Sequence, residues 1–381
     1  MIDILQYIFI LTCFVYVSII ALFTIGWFRL KTYYPTTRKL STKVSVIIAT
    51  RNEEENIKLC LKDLIAQDFD KNLYEIIIVD DFSTDKTTII IENIIKSTSA
   101  NIQLYDLKNK EPGNFSKKEA IQKAIEKSNG ELIITTDADC RFNSKWISTY
   151  ADYFENSEKK MVSGPVCFHD KISFWGKLQS LEFLSLISSG AGAISIGKPI
   201  MCNGANLAYS KTAFEKIKGF EKNMKYSSGD DIFLLQNMRK TFSSKSIGFL
   251  KNKEAIVYTK PQNSVKGFLN QRIRWTSKSS GYQNFFMILT AFSVLFFNLS
   301  IISSIFIGLF YTHFLWFAII MFAIKFILDF PILLGITSFT KQKKLLYFFL
   351  PLQFIYPFYI SILGILGNLL NFNWKDRKLK K

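Results

Sequence analysis

Histidine is nearly missing from these 381 residues, with His169 and His313 the only two. Catalysis built on a Ser–His or Cys–His pair is therefore poorly supplied. The five cysteines, Cys13, Cys60, Cys140, Cys167 and Cys202, contain no C-x-x-C and join no Cys/His cluster of metal-ligand spacing. That argues against a zinc site or a disulfide framework and fits free thiols in a reducing compartment. Arginine is scarce as well, at eight of the 48 basic residues. No basic helix with interleaved aromatics appears, so a nucleic-acid partner is not expected. Charge itself is missing from two long stretches: residues 4–28 and 284–324 contain no Lys, Arg, Asp or Glu. Runs longer than about 18 such residues can span a hydrocarbon core of roughly 30 Å. They exclude a purely soluble protein, and 21% charged residues exclude a purely membrane-embedded one.

The first apolar run reads as a membrane anchor (1–30) rather than a cleaved signal. Asp3 leads it, it outlasts the usual signal core, and no small-x-small site follows. Arg29, Lys31, Arg38, Lys39 and Lys43 come directly after it, so the positive-inside rule puts the next region, 31–260, in the cytoplasm. Much of the +17 net charge then reports membrane orientation. The expected location is a multi-pass protein of a bacterial inner membrane. A C-terminal region, 284–371, holds about three hydrophobic segments, near 284–306, 312–336 and 345–370. Lys325 and Asp329 lie within the second, one turn apart on the same face, and are expected to pair or face the bundle interior. Pro351 and Pro357 suggest that the last segment is broken, re-entrant or interfacial. A basic tail, 372–381, closes the chain. Residues 175–187 (WGKLQSLEFLSLI) suit either an interfacial helix or a buried core helix.

The central region alternates strand and helix signals. Residues 44–50 (VSVIIAT), 75–79 (EIIIV), 101–105 and 131–135 (ELIIT) read as strands, with helical NEEENIKLCLKDLIAQ, DKTTIIIENIIKS and KKEAIQKAIEKS between them. Continuous apolar strands with helical crossovers predict an α/β domain with a mostly parallel, doubly wound sheet. Ligands of such sheets sit beyond the carboxyl ends of the strands, where polar clusters follow. Thr50-Arg51-Asn52-Glu53 closes the first strand and Asp80-Asp81 the second. For Asp85 a helix-capping role is preferred. Two adjacent carboxylates at a strand end repel, which a ligand, cation or donor must offset. Asp137-Ala138-Asp139 closes a third strand. In extended backbone residues two apart share a side, so both carboxylates can serve one Mg²⁺ or Mn²⁺ whose shell substrate phosphates complete. Asn203-Gly204-Ala205-Asn206, Gly229-Asp230-Asp231 and Gln271-Arg272-Ile273-Arg274-Trp275 follow downstream. Arg51, Arg272 and Arg274 all fall in these motifs, and Arg suits bidentate phosphate recognition.

From the first strand through Trp275 the chain resembles the membrane-integrated family 2 inverting glycosyltransferases, which include cellulose, chitin, hyaluronan and poly-N-acetylglucosamine synthases and ceramide glucosyltransferases. ATRNEEENI, VDDFSTD, DAD, NGAN, the Asp-Asp pair and QRIRW occur in the family's order. The resemblance implies a GT-A-type nucleotide-sugar-binding domain with a mostly parallel sheet, flanked by transmembrane helices. By it, Thr50, Arg51, Glu53, Asp81 and Asp80 bind the nucleotide, Lys117 lies near the diphosphate, and Asn203, Gly204, Asn206 and Asp230 line the substrate site. Asp137 and Asp139 carry the metal-bound diphosphate, with Asp139 the direct ligand. Asp231 matches the catalytic base, although Asp230 stands where Glu is more usual. Gln271, Arg274 and Trp275 match Q-x-x-R-W, in an interfacial segment at 261–283, with Arg274 near the diphosphate and Trp275 at the acceptor sugar.

The expected reaction moves a sugar from a nucleoside diphosphate sugar, a UDP-sugar by preference, to a lipid, lipid-linked or saccharide hydroxyl. One base and no protein nucleophile imply single displacement and inversion. A processive polysaccharide synthase is the alternative. A glycosidase would not need carboxylate clusters at three strand ends beside Arg. A receptor or transporter would leave the ordered motifs idle.

Overall fold

The computed structural model describes residues 2–107, 117–169, 173–224, 229–367, 372–374 and 377–379. In chain order, α1 (Ile2–Arg29) precedes β1 (Val44–Thr50), α2 (Ile57–Ile65), β2 (Tyr74–Asp80), α3 (Thr87–Ser97), β3 (Ile102–Asp106), α4 (Lys117–Lys127) and β4 (Leu132–Asp137). Then come β5 (Arg141–Phe142), α5 (Trp146–Glu155), β6 (Met161–Ser163), β7 (Val166–Phe168), α6 (Phe174–Ser195), β8 (Leu207–Ser210) and α7 (Lys211–Lys216). The remainder is α8 (Asp230–Phe242), β9 (Ile247–Phe249), β10 (Val257–Thr259), α9 (Val265–Thr276), α10 (Phe285–Gly308), α11 (His313–Phe339) and α12 (Phe349–Leu366). Two compact units result. One combines Lys31–His169, Met201–Lys260 and Asn373–Lys381; the other combines Met1–Leu30, Asp170–Ile200 and Pro261–Phe372. Residues 170–200, which the sequence reading placed in the catalytic region, thus group with the membrane-type helices.

The first unit is built on a seven-stranded sheet of order β3-β2-β1-β4-β8-β6-β9. Strands β1, β2, β3 and β4 are parallel, as their apolar runs predict, and β8 is antiparallel to β4 and β6. Val46, Ile48, Ile76, Ile78 and Ile134 are fully buried and form the core with Ile57, Leu61 and Leu64 of α2. Burial on both sheet faces explains the absence of polar alternation. Glu75 is a buried exception, and it accepts from Ser45 Oγ (2.6 Å) and the Asn129 N–H (2.6 Å). Register is what places the site. Thr50 pairs with Asp80, and Ala49 with Asp137, so the three strands end at one edge. The chain order reverses between β1 and β4, the usual position of a ligand crevice. A three-stranded sheet of order β5-β10-β7 accompanies the main one.

Among the described residues of the second unit, four helical segments are long and apolar enough to cross a bilayer: Ile4–Arg29, Phe285–Gly308, His313–Phe339 and Lys343–Leu366. Helix α6 packs on α1 so closely that a Cβ at Gly26 would lie 2.2 Å from the Gly192 carbonyl oxygen, and one at Gly192 would lie 2.1 Å from that of Phe23. Small residues at such a crossing let two backbones touch, a common basis of helix association in membranes. Residues 175–187 are largely buried, which favours the core-helix reading over the interfacial one. Tyr16 stacks on Phe297 at 3.9 Å. Lys325 and Asp329 pair, as the sequence suggested, and Tyr16 and Gln353 also donate to the Asp329 carboxylate. The prolines do not break the last segment: a 3₁₀ turn at Lys343–Phe348 leads into a continuous α12. Pro351 stands in the first turn, where its missing N–H has no intrahelical role. Of the basic tail, Phe372–Trp374 and Arg377–Leu379 pair as two short strands, and the rest lies outside the described residues.

Candidate active site

At the ends of β1 and β2 the backbone is strained. Asn52 (φ 49°) and Phe82 (φ 56°) both adopt left-handed conformations, costly for a bulky residue and typical of functional turns. Cross-loop bonds hold them. Arg51 Nη1 donates to the carbonyls of Asp81 (2.7 Å) and Phe82 (3.0 Å), the Asn52 N–H donates to Ser83 Oγ (2.9 Å), and Asn52 Oδ1 accepts from the Thr84 N–H (2.8 Å). The Asp80 side chain is fully buried and accepts from the Ser83 N–H (2.8 Å) and Oγ (2.5 Å). The donor that offsets the Asp80–Asp81 repulsion therefore includes Ser83, a residue the sequence reading did not assign. Asp85 accepts from the Thr87 N–H and Oγ, which outweigh burial and hold its carboxyl below the usual range. Glu53 accepts from Asn56 Nδ2 (2.8 Å). The Thr50 hydroxyl is buried with no hydrogen-bond partner among the described residues.

Beyond β4 the acids gather round one lysine. Lys117, the first residue of α4, places Nζ 2.6 Å from Asp137 Oδ1 and 3.6 Å from Asp230 Oδ2. Burial alone would depress this ammonium, but Asp137 and Asp230 outweigh it and hold its pKa well above the ordinary lysine value. Gly204 faces the same group: a Cβ there would sit 3.1 Å from Asp230 Oδ2, 3.7 Å from Asp231 Cβ and 4.0 Å from Lys117 Nζ. Gly229, in left-handed conformation (φ 90°), is the N-cap of α8, so neither Asp230 nor Asp231 fills the capping position. Asp231 Oδ1 accepts from the adjacent Ile232 N–H (2.8 Å).

Asp139 Oδ2 accepts from Thr259 Oγ1 of β10 (3.0 Å), and Oδ1 is approached by Cys140 Sγ (3.7 Å). Asp137 and Asp139 can offer oxygen ligands to Mg²⁺ or Mn²⁺, but among the described residues no group of three His, Cys, Asp or Glu side chains converges as a complete cage. A cation here fits only as one bound by one or two carboxylates and finished by phosphate and water, the usual arrangement for Mg²⁺. Burial, reinforced by Asp139, pushes the thiols of Cys60 and Cys140 up. Both stay protonated, so neither supplies a thiolate nucleophile.

Two of the NGAN residues work for the scaffold. Asn203 Oδ1 accepts from the Ala205 N–H (2.9 Å). Asn206 is fully buried, donates to the carbonyls of Pro165 and Ala255 (2.8 Å each), and accepts from Trp146 Nε1 (3.1 Å) and Tyr150 OH (2.8 Å). With all four bonds made to protein, its side chain does not reach the group around Lys117.

Gln271, Arg274 and Trp275 belong to α9 of the second unit. There the buried arginine is Arg272. Its guanidinium is paired with Glu182 of α6, donates to Gln271 Oε1 (2.5 Å), and lies 4.2 Å from the Trp275 ring centre. The phosphate role that arginine scarcity suggested for Arg51 and Arg272 is not what these contacts show: one holds a turn, the other a buried carboxylate. Glu182 and Tyr359, which donates to it (3.1 Å), were missed. A lone acid in the apolar run LQSLEFLSLI was the available signal.

Comparison with known proteins agrees with this architecture. The family described as "Glycosyl transferase family 2" matches residues 45–218, and "Glycosyl transferase family group 2" matches residues 132–367, more than half of the chain. Among curated relatives, the glycosyltransferase AglE of Haloferax volcanii is 30% identical over 125 residues, covering 33% of this chain and 40% of that protein. The beta-monoglucosyldiacylglycerol synthase of a Nostoc species is 29% identical over 140 residues, covering 36% of this chain and 29% of that protein. The chain thus spans less than half the length of either relative. Among solved structures, the mannosyltransferase PcManGT from Pyrobaculum calidifontis, in complex with GDP-Man and Mn²⁺, superposes with a TM-score of 0.59 at 16% identity, covering 96% of this chain and 99% of that one. That likeness is one of fold, and the fold is GT-A-type. The second of the two family matches spans more than half of the chain and makes it a glycosyltransferase of the family 2 group.

Proposed function

We propose that the protein transfers one sugar from a uridine diphosphate sugar to a lipid or lipid-linked hydroxyl at the cytoplasmic face of a membrane, with inversion at the anomeric carbon. The observation that carries this reading is Lys117 held between Asp137 and Asp230 beside Gly204. A cation bordered by acids, at the edge where parallel strands end, suits a diphosphate that arrives with its own divalent metal.

In this reading Thr50, Glu53 and Asp81 form the nucleotide side, with Arg51 and the buried Asp80 fixing the turn they share. Lys117 and Arg274 bind diphosphate oxygens. Asp137 and Asp139, with Asp139 the direct ligand, would hold Mg²⁺ or Mn²⁺, which when bound would offset charge on the leaving diphosphate. Asp231 takes the proton from the acceptor hydroxyl as that oxygen bonds to the anomeric carbon. The bond from that carbon to the diphosphate breaks in the same displacement, and its electron pair leaves with the nucleotide. Asn203, Gly204, Asp230 and Gln271 border the sugar, and Trp275 offers it an apolar face. For Gln271, Arg274 and Trp275 the support is motif order, not a distance. The relative named for a glucosyldiacylglycerol product supports a lipid acceptor.

The test incubates the purified full chain in lipid nanodiscs with a panel of radiolabelled nucleotide sugars and Mg²⁺ or Mn²⁺. A single organic-soluble product that disappears with EDTA is expected, whereas a size ladder would replace single transfer with polymerisation. Asp231→Asn should abolish transfer while nucleotide-sugar binding stays within about twofold, as removal of a base alone requires. Appreciable residual turnover would sink the assignment of the base.

A further inference from the structure

Arg272 is among the most buried charged groups of the helical unit, its side chain only 3% exposed and that of Glu182 only 5%. Burying such a pair is favourable only when geometry is good and the remaining donors are satisfied. Here the pair is made at two points and every guanidinium nitrogen has a partner. Nε and Nη2 reach the two oxygens of Glu182 in a fork-to-fork pair, and Nη1 donates to Gln271 Oε1. Two aromatic rings also lie close to the guanidinium. Its carbon lies 4.2 Å from the Trp275 ring centre and 4.6 Å from that of Phe268, within cation–π range. Tyr359 of α12 donates to Glu182 Oε1, and Phe183, next to Glu182 in α6, lies against the Trp275 ring at 6.0 Å.

Two consequences follow for the neighbours of Arg272. A guanidinium has only donors, so the Gln271 amide must turn its oxygen toward it, leaving the NH₂ group directed elsewhere with both donors in a fixed orientation. The indole of Trp275 is held by a cation that itself cannot rotate, because Glu182 grips it at two points. Lysine could neutralise Glu182 but could not pair at two points, bond Gln271 and stack on an aromatic ring together.

We propose that Glu182 and Arg272 are positioning residues for the acceptor: they orient the Gln271 amide and the Trp275 ring so that a hydroxyl acceptor, rather than water, receives the sugar. The inference rests on the proposed reading of Trp275 as an acceptor-facing residue. Tyr359 extends the device into α12 by fixing the Glu182 carboxylate.

The test uses the full chain in nanodiscs of phosphatidylglycerol and diacylglycerol, with 5-fluorotryptophan incorporated and the Trp275 ¹⁹F resonance identified through Trp275→Phe. Glu182→Gln should shift or broaden that resonance and leave those of the other tryptophans in place. The same protein should show the ratio of sugar transferred to lipid over sugar released to water falling about tenfold, the scale expected from slight misplacement of a reacting group. Arg272→Lys should reproduce both effects. The double variant Glu182→Gln/Arg272→Met, which leaves no buried charge unpaired, guards against misfolding and should behave like the single variants. An unmoved Trp275 resonance in Glu182→Gln and Arg272→Lys would overturn the proposal. A moved resonance with an unchanged product ratio, in these variants and in Trp275→Ala alike, would instead overturn the acceptor role of Trp275. Wild-type values of both readouts in Arg272→Lys would also overturn the proposal, by reducing the pair to charge neutralisation.

Discussion

Lys117 Nζ lies 2.6 Å from Asp137 Oδ1, so the first metal-motif carboxylate is already matched to a protein cation. With Asp230 3.6 Å away on its other side, the ammonium bridges the end of β4 and the start of α8. Lys117→Met removes this cation. A hydrogen bond to a charged group is worth about 1.5–3 kcal/mol, so affinity for a nucleoside diphosphate should fall roughly 10- to 100-fold, measured by calorimetric titration of UDP. Charge repulsion between Asp137 and incoming phosphate adds to the loss. Lys117→Arg should retain most of the affinity.

The same lysine predicts a flat alkaline limb. Burial would lower its pKa, but the two aspartates raise it above the ordinary value. A group raised in the folded state contributes stability that is complete below its unfolded value, near 10.4, and is lost only as pH climbs through the folded value. Between about pH 6 and 9, nucleotide affinity should therefore show no step from Lys117. A step in that window that vanishes in Lys117→Met would contradict the assignment.

Gly204→Ala probes how tightly the acids are set. The new Cβ would stand 3.1 Å from Asp230 Oδ2, closer than ordinary contact yet against a side chain that can swing by a few tenths of an ångström. Folding should survive, with Tm changed by only a few degrees, because an error of this kind costs about 1 kcal/mol or less. Turnover should fall about tenfold, since displacing Asp230 disturbs Lys117 and the neighbouring Asp231. A variant with unchanged turnover would show that Asp230 is not held to its position by Gly204.

Much of this molecule was legible because its signals are local. The runs at Val44–Thr50 and Tyr74–Asp80 are apolar and β-branched throughout, and that property decides a strand buried on two faces. The acids at the strand ends were legible for the same reason: a known strand fixes where its last residue points. What failed to show were partnerships between distant residues. Nothing in DDFS distinguishes a carboxylate waiting for a ligand from one satisfied by Ser83. Nothing in NGAN separates the half-buried Asn203 from Asn206, whose four partners come from Trp146, Tyr150, Pro165 and Ala255. Arginine scarcity misled for Arg272, because a buried carboxylate selects the guanidinium fork as strongly as phosphate does.

Asn206→Ala follows from that contrast. Four buried hydrogen bonds disappear and their partners, two carbonyls, an indole and a phenol, are left in a dry interior. At roughly 1 kcal/mol per bond the loss is about 4 kcal/mol, which should lower the Tm of the full chain by about 5 °C by differential scanning fluorimetry. If Asn206 instead touched substrate, the variant would keep its Tm and lose nucleotide-sugar affinity, the opposite pattern.

Asp329 allows a sharper test among the membrane-type helices, because its three partners come from three elements. Tyr16 of α1 donates to Oδ1 (2.7 Å), while Lys325 of α11 and Gln353 of α12 (3.3 Å) donate to Oδ2. The lysine is 1% exposed and relies on this carboxylate for charge balance, apart from the Tyr356 ring 4.5 Å away. Asp329→Asn therefore strands a buried ammonium, whereas Lys325→Met strands a carboxylate that keeps two neutral donors. Removing one member of a buried pair costs about 3–5 kcal/mol, and the asymmetry of donors puts Asp329→Asn at the upper end and Lys325→Met at the lower. The double variant Lys325→Met/Asp329→Asn removes both charges, retains an acceptor for Tyr16 and Gln353, and should recover most of the loss. Thermal unfolding of the four proteins in one detergent gives the ranking directly. Equal losses in the two single variants, or a double variant no better than either, would mean that the pair is not held together by its charge.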